Sequence, residues 1–210
     1  MAKQTLYIVD GMALAFRSFF ALGRLSTAQG KPTGAIYGAA MFLNKLITEE
    51  TPDYLAVVTD APGKTFRNDL YKDYKATRDK MPDELREQIP TIAELYRLFG
   101  APAISIPGVE ADDVIGTMAR RWAGPDLDVY IVSGDKDFMQ LINDSVRLYA
   151  PKRNEDVQIV DVDGVREKFS CRPDQVIEAL ALIGDTADNV PGVKGIGEKG
   201  AAKLIETYGS

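Results

Sequence analysis

Leu6-Tyr-Ile-Val-Asp10-Gly11, a short apolar run that stops on an acid, sets the pattern that decides this chain's fold. The pattern returns at Tyr54–Val58, followed by Thr59-Asp60, and at Leu127–Val132, followed by Ser133-Gly134-Asp135. Runs of this length and composition read as buried strands. Residues 103–106 supply a further one. Between them lie segments of helical periodicity. Residues 33–49 carry Ile36, Ala39, Ala40, Leu43, Leu46 and Ile47 at helical spacing, and residues 83–99 form another such segment that Gly100 stops. Ala111–Trp122 opens with acids, which suit a helix N-terminus. This alternation predicts an α/β fold with a mostly parallel central sheet and helices on both faces. In such sheets ligands bind beyond the carboxyl ends of the strands. Asp10, Asp60 and Asp135 are therefore expected along one edge.

After residue 145 the texture changes. Residues 146–149 and Val157–Val160 read as a hairpin pair, 173–183 as a helix, and Glu198–Tyr208 as a second helix after a glycine-rich turn. The chain stops at Tyr208-Gly209-Ser210 without a closing element, so it reads as truncated. It has no internal repeat and no low-complexity tract.

Nine carboxylates fall in four clusters: Asp10; Asp60; Glu110, Asp112 and Asp113 with Asp135 and Asp137; and Asp185 with Asp188. An isolated aspartate after a strand is ordinarily a turn former or helix cap. Five acids at two neighbouring strand-to-helix junctions are harder to explain that way, because like charges repel. Oxygen-only donors point to a hard divalent cation, Mg²⁺ or Mn²⁺, and their number to two ions. The chain contains no histidine. That excludes Ser-His-Asp hydrolases, Cys-His proteases and His-zinc hydrolases, and leaves a metal-activated water, with two ions as the usual clamp for phosphodiester hydrolysis.

Composition is that of a globular chain, with 45% hydrophobic and 27% charged residues in a length that allows one sizeable core. No apolar run is long enough to span a bilayer and no signal peptide is evident. Cys171 is the single cysteine and cannot form an internal disulfide; a reducing cytoplasm is expected, and without histidine to activate it Cys171 reads as a bystander. The net charge of −6 opposes a nucleic-acid role at first count, yet setting aside the nine clustered acids leaves 22 against 25 Lys plus Arg. The acidity is local, with basic surface elsewhere.

Two further motifs suit such surface. Lys64-Thr-Phe-Arg67-Asn-Asp-Leu-Tyr71-Lys-Asp-Tyr74-Lys75-Ala-Thr-Arg78-Asp-Lys80 follows Asp60 directly. As a helix it would align Arg67, Tyr71, Tyr74 and Arg78 on one face, with Lys75 beside them. Cations neutralise phosphates and tyrosines stack on unpaired bases; the plain alternative is a solvated helix with internal ion pairs. The stretch Asn189-Val-Pro-Gly192-Val-Lys194-Gly195-Ile-Gly197-Glu-Lys199-Gly200 matches G-x-G-x-x-G in its last part. A dinucleotide reading fails, because no strand precedes it and no acid can follow at the required distance. A helix-hairpin-helix fits better, with Gly192, Lys194, Gly195, Gly197 and Lys199 offered to a phosphate at the second helix's N-terminus. The turn Gly30-Lys31-Pro32-Thr33-Gly34 is an ordinary helix entry with a backbone contact to nucleic acid as the alternative.

With these residues in view, the chain resembles the flap-endonuclease superfamily, specifically the 5′-nuclease domains of bacterial DNA polymerases. The resemblance rests on Ile8-Val9-Asp10-Gly11, Val58-Thr59-Asp60, Phe66-Arg67, Tyr74-Lys75-x-x-Arg78, Gly108-x-Glu110-Ala111-Asp112-Asp113, Gly134-Asp135-Lys136-Asp137 and Gly184-Asp185-x-x-Asp188-Asn189-x-Pro191-Gly192. It implies a PIN/resolvase-like core over residues 1–170, with a helical arch at about 64–82, and a helix-hairpin-helix region over 171–210. It implies a monomeric nuclease acting on 5′ ends, nicks, 5′ flaps and RNA primers on DNA. Asp10, Asp60, Glu110 and Asp112 would hold one ion, and Asp135, Asp137 and Asp185 the second, with Asp113 and Asp188 nearby. Arg67, Tyr74, Lys75 and Arg78 would be catalytic, Lys31, Thr33, Gly34 and Tyr71 would touch DNA, and the hairpin would carry a K⁺ ion. A PIN-like ribonuclease and a non-catalytic junction-binding module are the rival readings.

Overall fold

The computed structural model describes residues 3–152 and 157–210. Strand β1 (Gln4–Asp10) lies inside the sheet, pairing in parallel with β2 (Tyr54–Val58) on one side and β4 (Leu127–Val132) on the other. A strand flanked on both faces reads as continuously apolar, which is why residues 6–9 carry no polar alternation. Leu6 and Ile8 enter one core, and Tyr7 and Val9 the other. The six strands run in the order β3-β2-β1-β4-β5-β6, where β3 is Ala103–Ile104, β5 Val146–Pro151 and β6 Val157–Val160. All neighbours are parallel except β5 and β6, so the expected hairpin pair forms the antiparallel edge.

One face of the sheet is covered by α1 (Gly11–Leu22), α2 (Gly34–Glu50) and α5 (Ile89–Leu98). The other is covered by α6 (Ala111–Trp122), α7 (Val162–Phe169) and the C-terminal helices. Helix α1 has no counterpart in the sequence reading. Its sequence, GMALAFRSFFAL, has Arg17 and Ser18 as its polar side chains, so no amphipathic stripe announces it. Asp10 starts it, accepting the Ala13 amide at 2.9 Å. Helix α7 was likewise not foreseen. The segment 83–99 is two helices, α4 (Asp83–Arg86) and α5, with Pro90 at the start of the second. Between them Gln88 is buried and accepts the Ala35 and Ile36 amides at the start of α2.

The basic segment departs most from expectation. It is helical only over α3 (Phe66–Leu70); Tyr71 is extended and turns follow to residue 77. No continuous helix aligns Arg67, Tyr71, Tyr74 and Arg78. Tyr71 breaks the helix, and Lys75 keeps it from resuming: its φ of 55° is left-handed and its N–H donates to the Asp188 carbonyl instead of to a helical partner.

The last forty residues form a short 3₁₀ turn (Pro173–Gln175), α8 (Val176–Ile183), a two-residue ladder of β7 (Gly184–Asp185) with β8 (Val190–Pro191), and α9 (Glu198–Tyr208). Gly192 crosses the end of α8 so closely that a Cβ there would stand 2.2 Å from the Ile183 carbonyl oxygen. No helix among the described residues is long and apolar enough to cross a membrane.

Candidate nuclease site

Topology gathers the acids at the carboxyl edge of the parallel strands. Asp10 closes β1, Asp60 follows β2, and Asp135 follows β4. Glu110 and Asp113 form a capping box at the start of α6, with Asp112 between them. Asp135 starts the 3₁₀ turn Lys136–Leu141, accepting the Asp137 amide at 2.9 Å. Asp185 ends β7 and accepts the Ala187 and Asp188 amides.

Local hydrogen bonds fix most of these side chains. Asp10 is buried, with Ser133 donating to its free oxygen at 3.3 Å. Asp60 accepts the Ala111 amide at 2.8 Å, which ties the end of β2 to the start of α6. Glu110 is 7% exposed and accepts the Tyr74 hydroxyl and the Lys75 ammonium, both at 2.9 Å. Asp113 takes both guanidinium nitrogens of Arg67 at 2.6 and 2.7 Å. Asp188 accepts Arg78 at 2.6 Å and stands 2.9 Å from the same Tyr74 hydroxyl, whose single proton it shares with Glu110. Lys136 donates to Asp185 at 2.6 Å.

The electrostatics divide the acids into two neighbourhoods. Burial, then the negative charges of Asp10, Asp135 and Asp60, push the Asp112 carboxyl up to about 7. Burial raises Asp10 too, with Asp60 and Asp135 adding to it. Burial and the charges of Asp135, Asp185 and Asp188 push Asp137 up to about 6. Asp135 belongs to both groups. By contrast, hydrogen bonds from Arg67 hold Asp113 below the usual carboxylate range. Burial works against ionised Asp185, but Lys136 and two backbone amides outweigh it and lower its carboxyl.

The acids thus share an edge and feel one another's charge, yet they are not a preformed cage. Among the described residues no three acids are disposed to hold an ion as they stand. Lys75 and Lys136 instead bring positive charge to Glu110 and Asp185. The donor chemistry nevertheless fits a hard divalent ion: every group is a carboxylate, three are held against their own ionisation by burial and then by neighbouring charge, and Asp137 Oδ1 is buried without a hydrogen-bond partner. Lys136 Nζ stands 3.7 Å from that oxygen, beyond hydrogen-bond reach.

The remaining candidates lie further out. Tyr71 is exposed at the end of α3. Lys31 and Thr33 sit on the loop entering α2, bonded to Thr27 and Leu25, and Gly34 is buried at the start of α2. Gly192, Lys194, Gly195, Gly197 and Lys199 are exposed on the hairpin between α8 and α9. Sequence reasoning gave no role to Thr65, Ser133 or Lys136, all of which touch site acids. Ser133 and Lys136 flank Asp135 in sequence, and that adjacency was the available signal.

Comparison with known proteins places this geometry. Residues 5–170 match the family described as 5′-3′ exonuclease, N-terminal resolvase-like domain, and residues 171–210 match the 5′-3′ exonuclease, C-terminal SAM fold. A 5′-3′ exonuclease of Aquifex aeolicus is 46% identical over 207 residues, covering 99% of this chain and 71% of that protein. DNA polymerase I of Bacillus caldotenax is 41% identical over 209 residues, covering 99% of this chain but 24% of the polymerase. The bacteriophage T5 D15 flap endonuclease, solved as a pseudo-enzyme-product complex with DNA and metal ions, superposes with a TM-score of 0.78 at 25% identity, covering 99% of this chain and 76% of that one. With family matches over residues 5–170 and 171–210 and a relative 46% identical along nearly its whole length, the chain belongs to the 5′-3′ exonuclease family of hydrolases, homologous to the nuclease domain of DNA polymerase I.

Proposed function

We propose that the chain cleaves 5′ ends and 5′ flaps at junctions between single-stranded and duplex nucleic acid, in DNA and in RNA primers paired to DNA. The observation that carries this reading is the seat of the basic segment. Tyr74 and Lys75 reach Glu110 of the core, while Tyr74 and Arg78 reach Asp188 beside the hairpin. A phosphodiester held at the acidic edge would lie under donors fixed from both sides. Relatives crystallised with DNA and metal ions support the same reading.

Residues 1–170 act as the nuclease core and 171–210 as the duplex-gripping region. Two Mg²⁺ or Mn²⁺ ions, when bound, supply the charge that activates water and steadies the leaving oxygen. Asp10, Asp60 and Asp112 with Glu110 would hold one; Asp135, Asp137 and Asp185 would hold the other, with Asp188 nearby. Asp113 orients Arg67. Lys75 and Arg78 place positive charge on the non-bridging phosphoryl oxygens. Lys75 donates to Glu110, and its ammonium would be free to face a phosphate if that carboxylate held an ion. Tyr71 offers a stacking surface to an unpaired base. The exposed amides at Gly195 and Gly197 and the cations Lys194 and Lys199 bind duplex phosphates, with K⁺ on the hairpin carbonyls. The protein works as a cytoplasmic monomer.

The test is cleavage of a 5′-flap DNA against a single-stranded RNA in Mg²⁺, with binding measured in Ca²⁺. Flap cleavage leaving a 5′-phosphate supports the reading. Preferential RNA cleavage favours the PIN-like ribonuclease, and junction binding without turnover favours a binding module.

A further inference from the structure

We infer that Asn189 is a positioning residue that ties the basic segment to the C-terminal hairpin, so that Lys75 stands over the acidic edge only when the hairpin is folded beside it. Asn189 has a φ of 58°, in the left-handed region that asparagine tolerates better than most residues. In that conformation its Nδ2 donates to the Asp73 carbonyl at 2.8 Å. The preceding carbonyl, of Asp188, accepts the Lys75 N–H at 3.0 Å. Lys75 is itself left-handed, a conformation a lysine keeps only when its surroundings over-determine it. The two left-handed residues therefore sit on facing turns that hold each other by paired hydrogen bonds.

Three contacts complete the junction. Arg78 Nε donates to the Ala187 carbonyl at 3.3 Å, and Arg78 and Tyr74 donate to the Asp188 carboxylate. Apart from the Tyr71 N–H, which donates to the Arg67 carbonyl in α3, the hydrogen bonds that leave the stretch 71–80 among the described residues go to Glu110 or to residues 187–189. On the far side of Asn189 the chain enters β8, pairs with β7 and crosses α8 at Gly192. A continuous path thus runs from the duplex-facing glycine turn through Asn189 and Asp73 to Lys75 and Glu110, the kind of packed chain through which coupling can travel. A hairpin seated on duplex would set the Asn189 turn and with it the Lys75 ammonium.

The inference rests on the reading of Lys75 as the phosphate-facing cation, and the experiment separates the two. Asn189→Gly keeps the left-handed backbone and removes the amide. Asn189→Asp keeps the shape and replaces the donor with an acceptor facing a carbonyl. Trypsin nicking after Lys72, Lys75, Arg78 and Lys80 is measured without substrate, and kcat and KM are measured on a 5′-flap DNA in Mg²⁺. In both variants nicking within 72–80 should rise about fivefold, the size of one lost hydrogen bond. Turnover should fall about tenfold while KM stays within about twofold. Nicking and kcat at wild-type values in Asn189→Gly overturn the inference. So does a lowered melting temperature with nicking raised equally throughout the chain, the mark of a merely structural residue. If the wild-type protein fails to cut the flap, the functional reading falls, while the nicking comparison still decides the tether.

Discussion

Asp112→Asn should stabilise the protein and weaken its response to Mg²⁺. The Asp112 carboxyl is raised from 3.8 to about 7 by burial and by Asp10, Asp135 and Asp60. At about 1.4 kcal/mol for each tenfold change, that difference sets a ceiling of about 4 kcal/mol on the cost of ionised Asp112 in the folded state. Because the neighbouring acids titrate together, that ceiling belongs to the group and not to Asp112 alone, and a relief on the order of 2 kcal/mol is expected from removing one charge. For a chain of this size about 2 kcal/mol corresponds to roughly 4–8 °C in Tm. The sign with pH follows from a folded value lying above the unfolded one. The cost is absent below about pH 4, grows between there and pH 7, and is constant above. The assay is a set of thermal melts in EDTA and in Mg²⁺ at pH 5, 6, 7 and 8. In EDTA the wild type should gain stability as pH falls from 8 to 5, and the variant should start higher and gain less. Mg²⁺ should raise the wild-type melt by preferential binding to the folded state and move the variant much less. A variant that melts below wild type in EDTA at pH 8 would refute the argument that these acids are held together against their own repulsion.

Three other outcomes follow from the same geometry. Lys75→Ala should reduce flap turnover by about a hundredfold while changing flap affinity little, measured by single-turnover cleavage beside binding in Ca²⁺; turnover near wild type would remove Lys75 from the chemistry. Gly192→Ala should break the crossing at Ile183, where the added Cβ would stand 2.2 Å from the carbonyl oxygen; a loss of duplex affinity with the core melt largely kept is expected, and unchanged affinity would disprove it. Arg67→Met strips both hydrogen bonds from Asp113, so α3 should exchange its amide hydrogens faster while α6 stays protected; equal protection of both helices would count against that anchoring role.

The sheet was legible because its central strands are flanked on both sides. Continuous apolar runs ending on acids announced β1, β2 and β4 together with the edge where Asp10, Asp60 and Asp135 stand. Helix α1 was not legible, since its largely apolar sequence has no polar stripe. The basic segment misled in the opposite way. Its side chains have helical spacing, but its backbone is claimed by distant partners at Asp188 and Asn189, and nothing local reports a hydrogen bond spanning more than a hundred residues. The same limit applies to the acids. Their identity was plain in the sequence, whereas their division into a pair of charge neighbourhoods, with Glu110 and Asp113 engaged by Lys75 and Arg67, depends on which cation folds back onto which carboxylate.

Asp10 lies on a strand whose two neighbours begin at residues 54 and 127, and Asp185 joins the same edge from beyond them all. The edge therefore draws on acids from residue 10 to residue 185, and pairings between such distant segments carry a large loop-closure cost. A nascent chain that has not yet reached residue 185 lacks one of the acids that the complete edge brings together.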